Sequence, residues 1–430
     1  MGIKTLKTLG IELINKPPVS LMKENILDLP KMTNPVKLLA MDIMITLAGP
    51  AYISDQNVLI KLTYAMLDLS IKYGNAPAST HAYGLFGVLN VVDEKIEDGF
   101  KLGQMSLKII DKLNFPEMKC RTLNIHNSCI RHWKEHLPEA VKDMAESVSI
   151  GLEHGDIENA SYCAIHYCNN MLFSGLNLET IEKKTRNYMS LMKKTNQWYA
   201  VSYLRITLQT MLNLRNETEE TGQLDSEAVS EDEFLSSLIE SKSYTILQWF
   251  YTAKVVLNYL FYKYEKAVTN AAKAESFVAN AAGLISVGQL NFYQSLSLLA
   301  QCKTIDFVER EAYLAQVEKN QKTLSLWANN APQNFRHKYN IIEAERARVL
   351  DNLEAIKLYE KAITGARKNK FLHEEALSYE LAAIFYLEQN MIKIAQTYMT
   401  EAHFLYKKWG AETKVAHLDF IIHHLIYTCF

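Results

Sequence analysis

The stretch from His337 to Gly410 constrains this chain more than any other, because it holds two consecutive helical hairpins written in one register. In the first, Tyr339 to Leu350 and Leu353 to Lys368 are separated only by Asp351-Asn352, so the two helices must pack antiparallel. Ala355, Tyr359 and Ala362, at spacings of four and three, put small and aromatic side chains on one face. In the second, Glu374 to Glu388 and Ile392 to Tyr406 are joined at Gln389-Asn390, with Ala382 on one helix and Ala395 and Ala402 on the other. Small residues let helix axes approach closely, and the neighbouring aromatics fill the space beside them.

Hairpins at a period of about 40 residues with alternating small and aromatic positions are the pattern of tetratricopeptide-type (TPR) repeats. A chain of 430 residues is long for a single globular core, and a repeat array removes that conflict, since each unit need contact only its neighbours. The 16 glycines and 9 prolines mostly fall between helical patterns, and no segment alternates as a strand would. The expected fold is all-α, a right-handed superhelical solenoid of about seven antiparallel hairpins, with boundaries good to a few residues.

Read in order, residues 1–35 form an N-terminal helix (Met1 to Lys16) and a Pro-containing linker, and residues 36–214 form N-terminal repeats. Their pairs are Val36 to Leu47 with Val58 to Tyr73, Thr80 to Val92 with Glu97 to Leu113, Met118 to His136 with Ala140 to Leu152, and Ile157 to Phe173 with Leu178 to Lys193. Gly99 and Ser106, then Ala140 and Ser147, repeat the seven-residue spacing of Ala355 and Ala362. Residues 215–232, rich in Glu, Asp, Ser and Thr, read as a plain solvated loop. TPR-like repeats resume over 233–411, where Ala267 and Ala274 carry the second-helix signature, and 412–430 is an atypical apolar tail.

Several function classes lack support in these residues. A net charge of −2 offers no concentrated basic surface for nucleic acid. Six scattered cysteines without a CxxC pair suggest reduced core thiols and a cytoplasmic protein. The N-terminus lacks the continuous apolar run and cleavage site of a leader, and Leu6 stands where myristoylation at Gly2 wants Ser or Thr. The apolar run Val36 to Ile53 is interrupted by Asp42 and Gly49-Pro50, which favours a buried helix over a membrane span. Phosphate loops, dinucleotide fingerprints, kinase catalytic motifs and nucleophile elbows are absent, so no cofactor and no catalytic residue is expected.

His132-Trp133-Lys134-Glu135-His136 fits H-x-x-E-H, in which two histidines one helical turn apart bind zinc while the glutamate acts as base. That makes His132, Glu135 and His136 the metal candidates and a metal-dependent hydrolase the alternative function. The context is poor, because the helix stops at Leu137-Pro138 and no third carboxylate ligand follows; histidines capping a helix end are the simpler reading. His423-His424 near His417 point to different sides of a helix. Tyr251, Tyr259, Tyr262 and Tyr264 read as core and groove lining, and Arg346 and Arg348 as surface partners of Glu343 and Glu345.

Five stretches carry a further resemblance: Ile130 to His136, Ala331 to Tyr339, Glu343 to Ala347, Glu374 to Ala383, and Ile394 to Ala411. Together they resemble the helical-repeat region of large, mostly cyanobacterial, multidomain signalling kinases. Those begin with a serine/threonine kinase domain and a P-loop AAA/STAND ATPase and end in GAF and histidine kinase domains. The resemblance implies a regulatory, protein-interacting segment between ATPase and sensor modules, non-catalytic by itself. Its partners would be a protein or peptide, a small effector in the groove, or the neighbouring kinase and ATPase domains. A stand-alone peptide-binding adaptor is the other interaction reading. The linker Pro17 to Asn34 is shorter than that family's, and Phe420 to Phe430 departs from its charged helix, so a fragment or split gene is expected.

Overall fold

A computed structural model describes residues 2–18, 25–216, 220–225 and 230–427. Among the described residues every regular element is helical, apart from one isolated bridge between Lys31 and Asn75. A short α1 (Gly2–Thr8) precedes the hairpins α2 (Pro35–Ser54) with α3 (Gln56–Tyr73) and α4 (Pro77–Val92) with α5 (Ile96–Leu113). Then follow α6 (Lys119–Ile125) with α7 (Leu137–Glu153), α8 (Ile157–Phe173) with α9 (Leu178–Lys194), and α10 (Trp198–Arg215) with α11 (Glu231–Glu240). The last set is α12 (Tyr244–Leu260) with α13 (Tyr264–Glu275), α14 (Ile285–Gln301) with α15 (Phe307–Asn330), α16 (Pro332–Val349) with α17 (Ala355–Lys368), and α18 (Leu372–Glu388) with α19 (Ile392–Trp409). A final helix, α20 (Glu412–Tyr427), covers the end. The array is thus an all-α superhelical solenoid of TPR-like hairpins.

One turn device recurs. Asn114, Asn196, Asp351 and Asn390 take left-handed φ values of 55°, 57°, 53° and 56°. The next amide then reaches back to the helix's last turn: Phe115 N to Ile110 O, Gln197 N to Met192 O, Asn352 N to Ala347 O and Met391 N to Tyr386 O, at 2.8–3.0 Å. This closes the helix and reverses the chain within a residue or two, which is why short polar residues occupy these positions. The small faces then meet. Ala267, Ala274, Ala355, Ala362, Ala382 and Ala402 are fully buried, and Tyr359 and Ala395 are 1% exposed. A Cβ on Gly99 would sit 2.5 Å from the Gly87 carbonyl, so α4 and α5 touch backbone to backbone.

The even-numbered helices pack on one another in succession and form an inner layer, with the odd-numbered helices outside. The expectation that each unit contacts only its neighbours fails here, because the coil returns on itself. The Tyr52 hydroxyl donates to Asn280 O (3.2 Å), Trp133 Nε1 to Gly283 O (2.8 Å), His136 Nε2 to Asn369 O (3.0 Å) and Thr413 Oγ1 to Asn216 O (2.6 Å). Apolar side chains from Val88 to Leu418 consequently share one continuous core.

Several expected boundaries shift. α2 runs through Gly49-Pro50, with Pro50 exposed, and over Pro35–Ile53 it is long and apolar enough to cross a membrane, with only 28% of that window buried. The buried helix expected there is therefore largely uncovered. Met118 to His136 is not one helix: after α6 come a wide turn over His126–Ile130 and a tight one over Arg131–Trp133. The acidic stretch is not simply solvated. Asn213 Nδ2 donates to Thr221 O (3.0 Å), Leu224 is buried, and Glu231 opens α11, a helix that the composition hid. The C-terminal tail folds from its start as α20, with Lys414, Val415 and Leu418 buried. The side chains of His423 and His424, and Cys429, lie outside the described residues, as do residues 19–24 of the linker.

Candidate functional site

The H-x-x-E-H residues sit at the corner between α6 and α7, and the corner's geometry separates them. His132 lies in the tight turn, fully buried at 4.7 Å from the Trp133 ring, and burial pushes its pKa down to about 3. Glu135 turns away to the Arg131 guanidinium (2.6 Å). His136 precedes α7 in extended backbone and points to the Asn369 carbonyl. The three groups do not converge, and among the described residues no set of three His, Cys, Asp or Glu is placed to hold a metal ion. Helical spacing of His132 and His136, on which the zinc reading depended, does not exist here.

The corner serves a different purpose. Asn334, at the start of α16 and 1% exposed, donates through Nδ2 to His132 O and Glu135 O (both 2.7 Å) and accepts the Leu137 amide on Oδ1 (3.0 Å). Trp133 stacks on Phe335 with ring centres 5.3 Å apart. Two stretches about 200 residues apart that carry the family resemblance, Ile130 to His136 and Ala331 to Tyr339, are thus the two halves of one contact between coils.

A second feature is an open cavity of about 310 Å³ on the inner face. Its walls come from α2, α3, α4, α6 and the wide turn after it, α8 and α10, and Thr245 at the head of α12, Ala282 and Leu284 complete it. The coil closes over this space where Tyr52 and Thr245 both donate to Asn280 O. Apolar and aromatic side chains such as Ile45, Leu85, Ile125, Tyr162 and Tyr203 predominate. His81 Nδ1 and Asn124 Oδ1 are buried in the wall without hydrogen-bond partners, and Arg121 and Glu158 also face it. Burial holds His81 at a pKa of about 3 and His166 at about 4, so both rings are neutral. Nothing in the sequence announces this site, because its lining is drawn from residues 45 to 284 and no short motif contains it.

Within the later repeats, charged side chains are buried in pairs. Glu380 accepts from Lys414 Nζ (2.6 Å) and from the Tyr262 and Tyr406 hydroxyls (2.6 and 2.7 Å), while Glu374 accepts from His337 and Lys338. Arg348 bonds Glu345 (2.6 Å) and Glu388 (2.8 Å) and is 9% exposed, so it is a core clamp rather than the surface pair expected for it. Desolvation lowers the pKa of Lys338 well below its usual value, and lowers that of Lys414 against the opposing pull of Glu380. Apart from His337 Nδ1, these groups have partners within the chain, and they are buried, so their chemistry is structural: they fix how α16, α18 and α20 dock. One sequence signal existed, since the polar residues of α18 do not gather on one face, and carboxylates on a helix buried on most sides must find buried partners.

A third feature is exposed. Antiparallel pairing of α15 and α16 brings Phe307 and Val308, 75% and 77% exposed, to the same end as Leu350 and Leu353, 51% and 61% exposed. Arg310 Nη2 donates to Val349 O (3.0 Å) and ties this end together.

Comparison with known proteins places these features. Residues 219–420 match the family of CHK1-like TPR repeats. A curated relative, hybrid signal transduction histidine kinase G of Dictyostelium discoideum, is 19% identical over 177 residues, which is 40% of this chain and 5% of that protein. A solved circular tandem repeat protein with novel repeat topology and enhanced subunit contact surfaces aligns over 91% of this chain and 95% of its own, at 13% identity and a TM-score of 0.21. Residues 219–420 are thus similar to CHK1-like TPR repeats, and 40% of the chain is similar to a small part of a hybrid histidine kinase.

Proposed function

We propose that this chain is a regulatory, protein-interacting segment, non-catalytic by itself, that sits between ATPase and sensor histidine kinase modules of a cytoplasmic signalling kinase. The observation that supports it is the apolar end formed by Phe307, Val308, Leu350 and Leu353, which lies inside the TPR-matched residues. Large apolar side chains exposed together at one end of a helix pair favour a protein contact, whereas scattered single ones do not. The inner groove that an open TPR array offers to a peptide is largely filled by the chain itself, which favours an outer surface such as this end.

The test is association of purified residues 1–430 with separately produced kinase, ATPase and sensor modules of the parent kinase. Binding to one of them, lost in Val308→Asp and Leu353→Asp while Lys368→Asp binds normally, is the expected result. Failure to bind any module, or ATP turnover by residues 1–430 that a single substitution abolishes, overturns the reading.

A further inference from the structure

The inner cavity is built in a way that a packing defect is not. A void left by imperfect packing is apolar and dry, whereas buried polar atoms without partners call for a polar guest. His81 and Asn124 are 8% and 9% exposed, and His81 Nδ1 and Asn124 Oδ1 have no partner. Arg121 stands beside them. It lies one turn from Asn124 on α6, and the 3.3 Å contact between the Thr80 and Thr122 hydroxyls sets His81 next to it across the α4–α6 interface. Its ion pair with Asp156, at 3.9 Å, is too long for a hydrogen bond, which leaves the guanidinium able to take a closer carboxylate. The mouth is marked by the exposed Glu158, already engaged by the Tyr162 hydroxyl at 3.0 Å. At about 310 Å³ the space is at the small end of metabolite pockets, which run from ~300 to ~1,000 Å³.

We propose that this cavity binds a small carboxylic acid with an apolar body and a hydrogen-bond donor beside the carboxylate. The carboxylate pairs with the planar fork of Arg121, the adjacent hydroxyl or amine donates to Asn124 Oδ1, and neutral His81 satisfies Nδ1 on the same polar end. The body fills the space among Ile45, Leu85, Ile125 and Tyr203. This inference deepens the regulatory reading by naming an effector class, yet it does not need the partner surface, because most of the lining precedes residue 219.

Isothermal titration of residues 1–430 with 3-phenyllactate and with indole-3-lactate tests it, with 3-phenyl-1,2-propanediol as the analogue lacking the carboxylate. Saturable binding of at least one acid at or below about 10 mM is expected. Affinity should fall about ten-fold or more for the diol and in Arg121→Gln, as loss of a charged hydrogen bond requires. Leu85→Trp should abolish binding by filling the cavity. If that variant does not melt cooperatively, Gly49→Phe replaces it, since a Cβ there meets only Glu158 Oε1 at 3.3 Å and the ring would block the mouth. No saturable binding of either acid by folded protein, equal binding of the diol, or binding that Arg121→Gln leaves unchanged each overturns the proposal. None of these outcomes bears on whether Val308→Asp releases a partner module, so the two readings fail separately.

Discussion

Replacing Asn334 by alanine removes a three-bond clamp between coils that are about 200 residues apart in sequence. The side chain makes bonds of 2.7, 2.7 and 3.0 Å in a buried corner, and alanine leaves the His132 and Glu135 carbonyls and the Leu137 amide with no replacement partner. At about 1 kcal/mol per net bond, and more for each group stranded away from water, the loss should be about 3–4 kcal/mol. Asn334→Asp should cost at least as much, because it keeps the acceptor for Leu137 but turns a carboxylate oxygen toward two carbonyls. Urea unfolding followed by tryptophan fluorescence suits the measurement, since Trp133 stacks on Phe335 in the same corner. The midpoint should fall with an unchanged slope, because the surface exposed on unfolding is the same. Neighbouring Gln333, half-buried, makes one bond of 3.0 Å to Lys134 O, so Gln333→Ala should cost about 1 kcal/mol or less. A loss below about 1 kcal/mol for Asn334→Ala, or equal losses at the two positions, would refute the claim that the coils are locked here.

The remaining predictions follow the buried groups. His81, His126 and His132 have folded pKa values near 3, 4 and 3, below the ordinary value near 6.5, so the unfolded chain takes up protons first as pH falls. Their stabilising contribution is complete above pH ~6.5 and is lost on going down toward ~4, by about 2 kcal/mol per residue at pH ~5; a urea midpoint that stays flat from pH 7 to 5 would contradict this. Lys414→Met strands Glu380 with only tyrosine donors and should cost about 3–5 kcal/mol, most of it recovered by adding Glu380→Gln, as thermal unfolding of the single and double variants can show. Ala355→Leu or Ala362→Leu should cost about 1–3 kcal/mol through overpacking of a fully buried face. Leucine at the exposed Lys368 should change stability by less than about 0.5 kcal/mol, and equal effects would place the face wrongly.

The hairpins were legible because their signals are local. A left-handed polar residue at several turns and small residues at intervals of three, four and seven depend on neighbours only a few positions away. The corner after α6 was not legible, since Asn124, His126, Asn127 and Ser128 are all buried and carry no polar face for a helical period to register. Their irregular turns are held instead by distant partners such as Asn334 and Gly283. α11 was hidden by composition: its first turn, Glu231, Asp232 and Glu233, reads as solvated loop until one sees Glu231 accept from Lys254 and from the Leu224 amide. The cavity and the Glu380 cluster required contacts between segments separated by tens to hundreds of residues, which periodicity does not encode.

These long-range contacts also decide where such a chain can meet other molecules. In an open solenoid the inner helices present a continuous groove, and stability is a sum over neighbouring repeats. Here α12, α14 and α18 are buried on nearly every side, and many of their polar side chains bond within the chain, as with Gln248, which donates to Thr252 and accepts from Ser286. A peptide laid along that layer would have to displace the second coil, breaking the Asn334 clamp and the Trp133–Phe335 stack together. Two places that need no such rearrangement are the inner cavity, whose mouth is open and whose buried His81 and Asn124 still lack partners, and the apolar end at Phe307 and Leu353, which faces outward. The first has room only for a small molecule and the second offers only a surface, so the two proposals assign recognition to two sites of different chemistry on one coil.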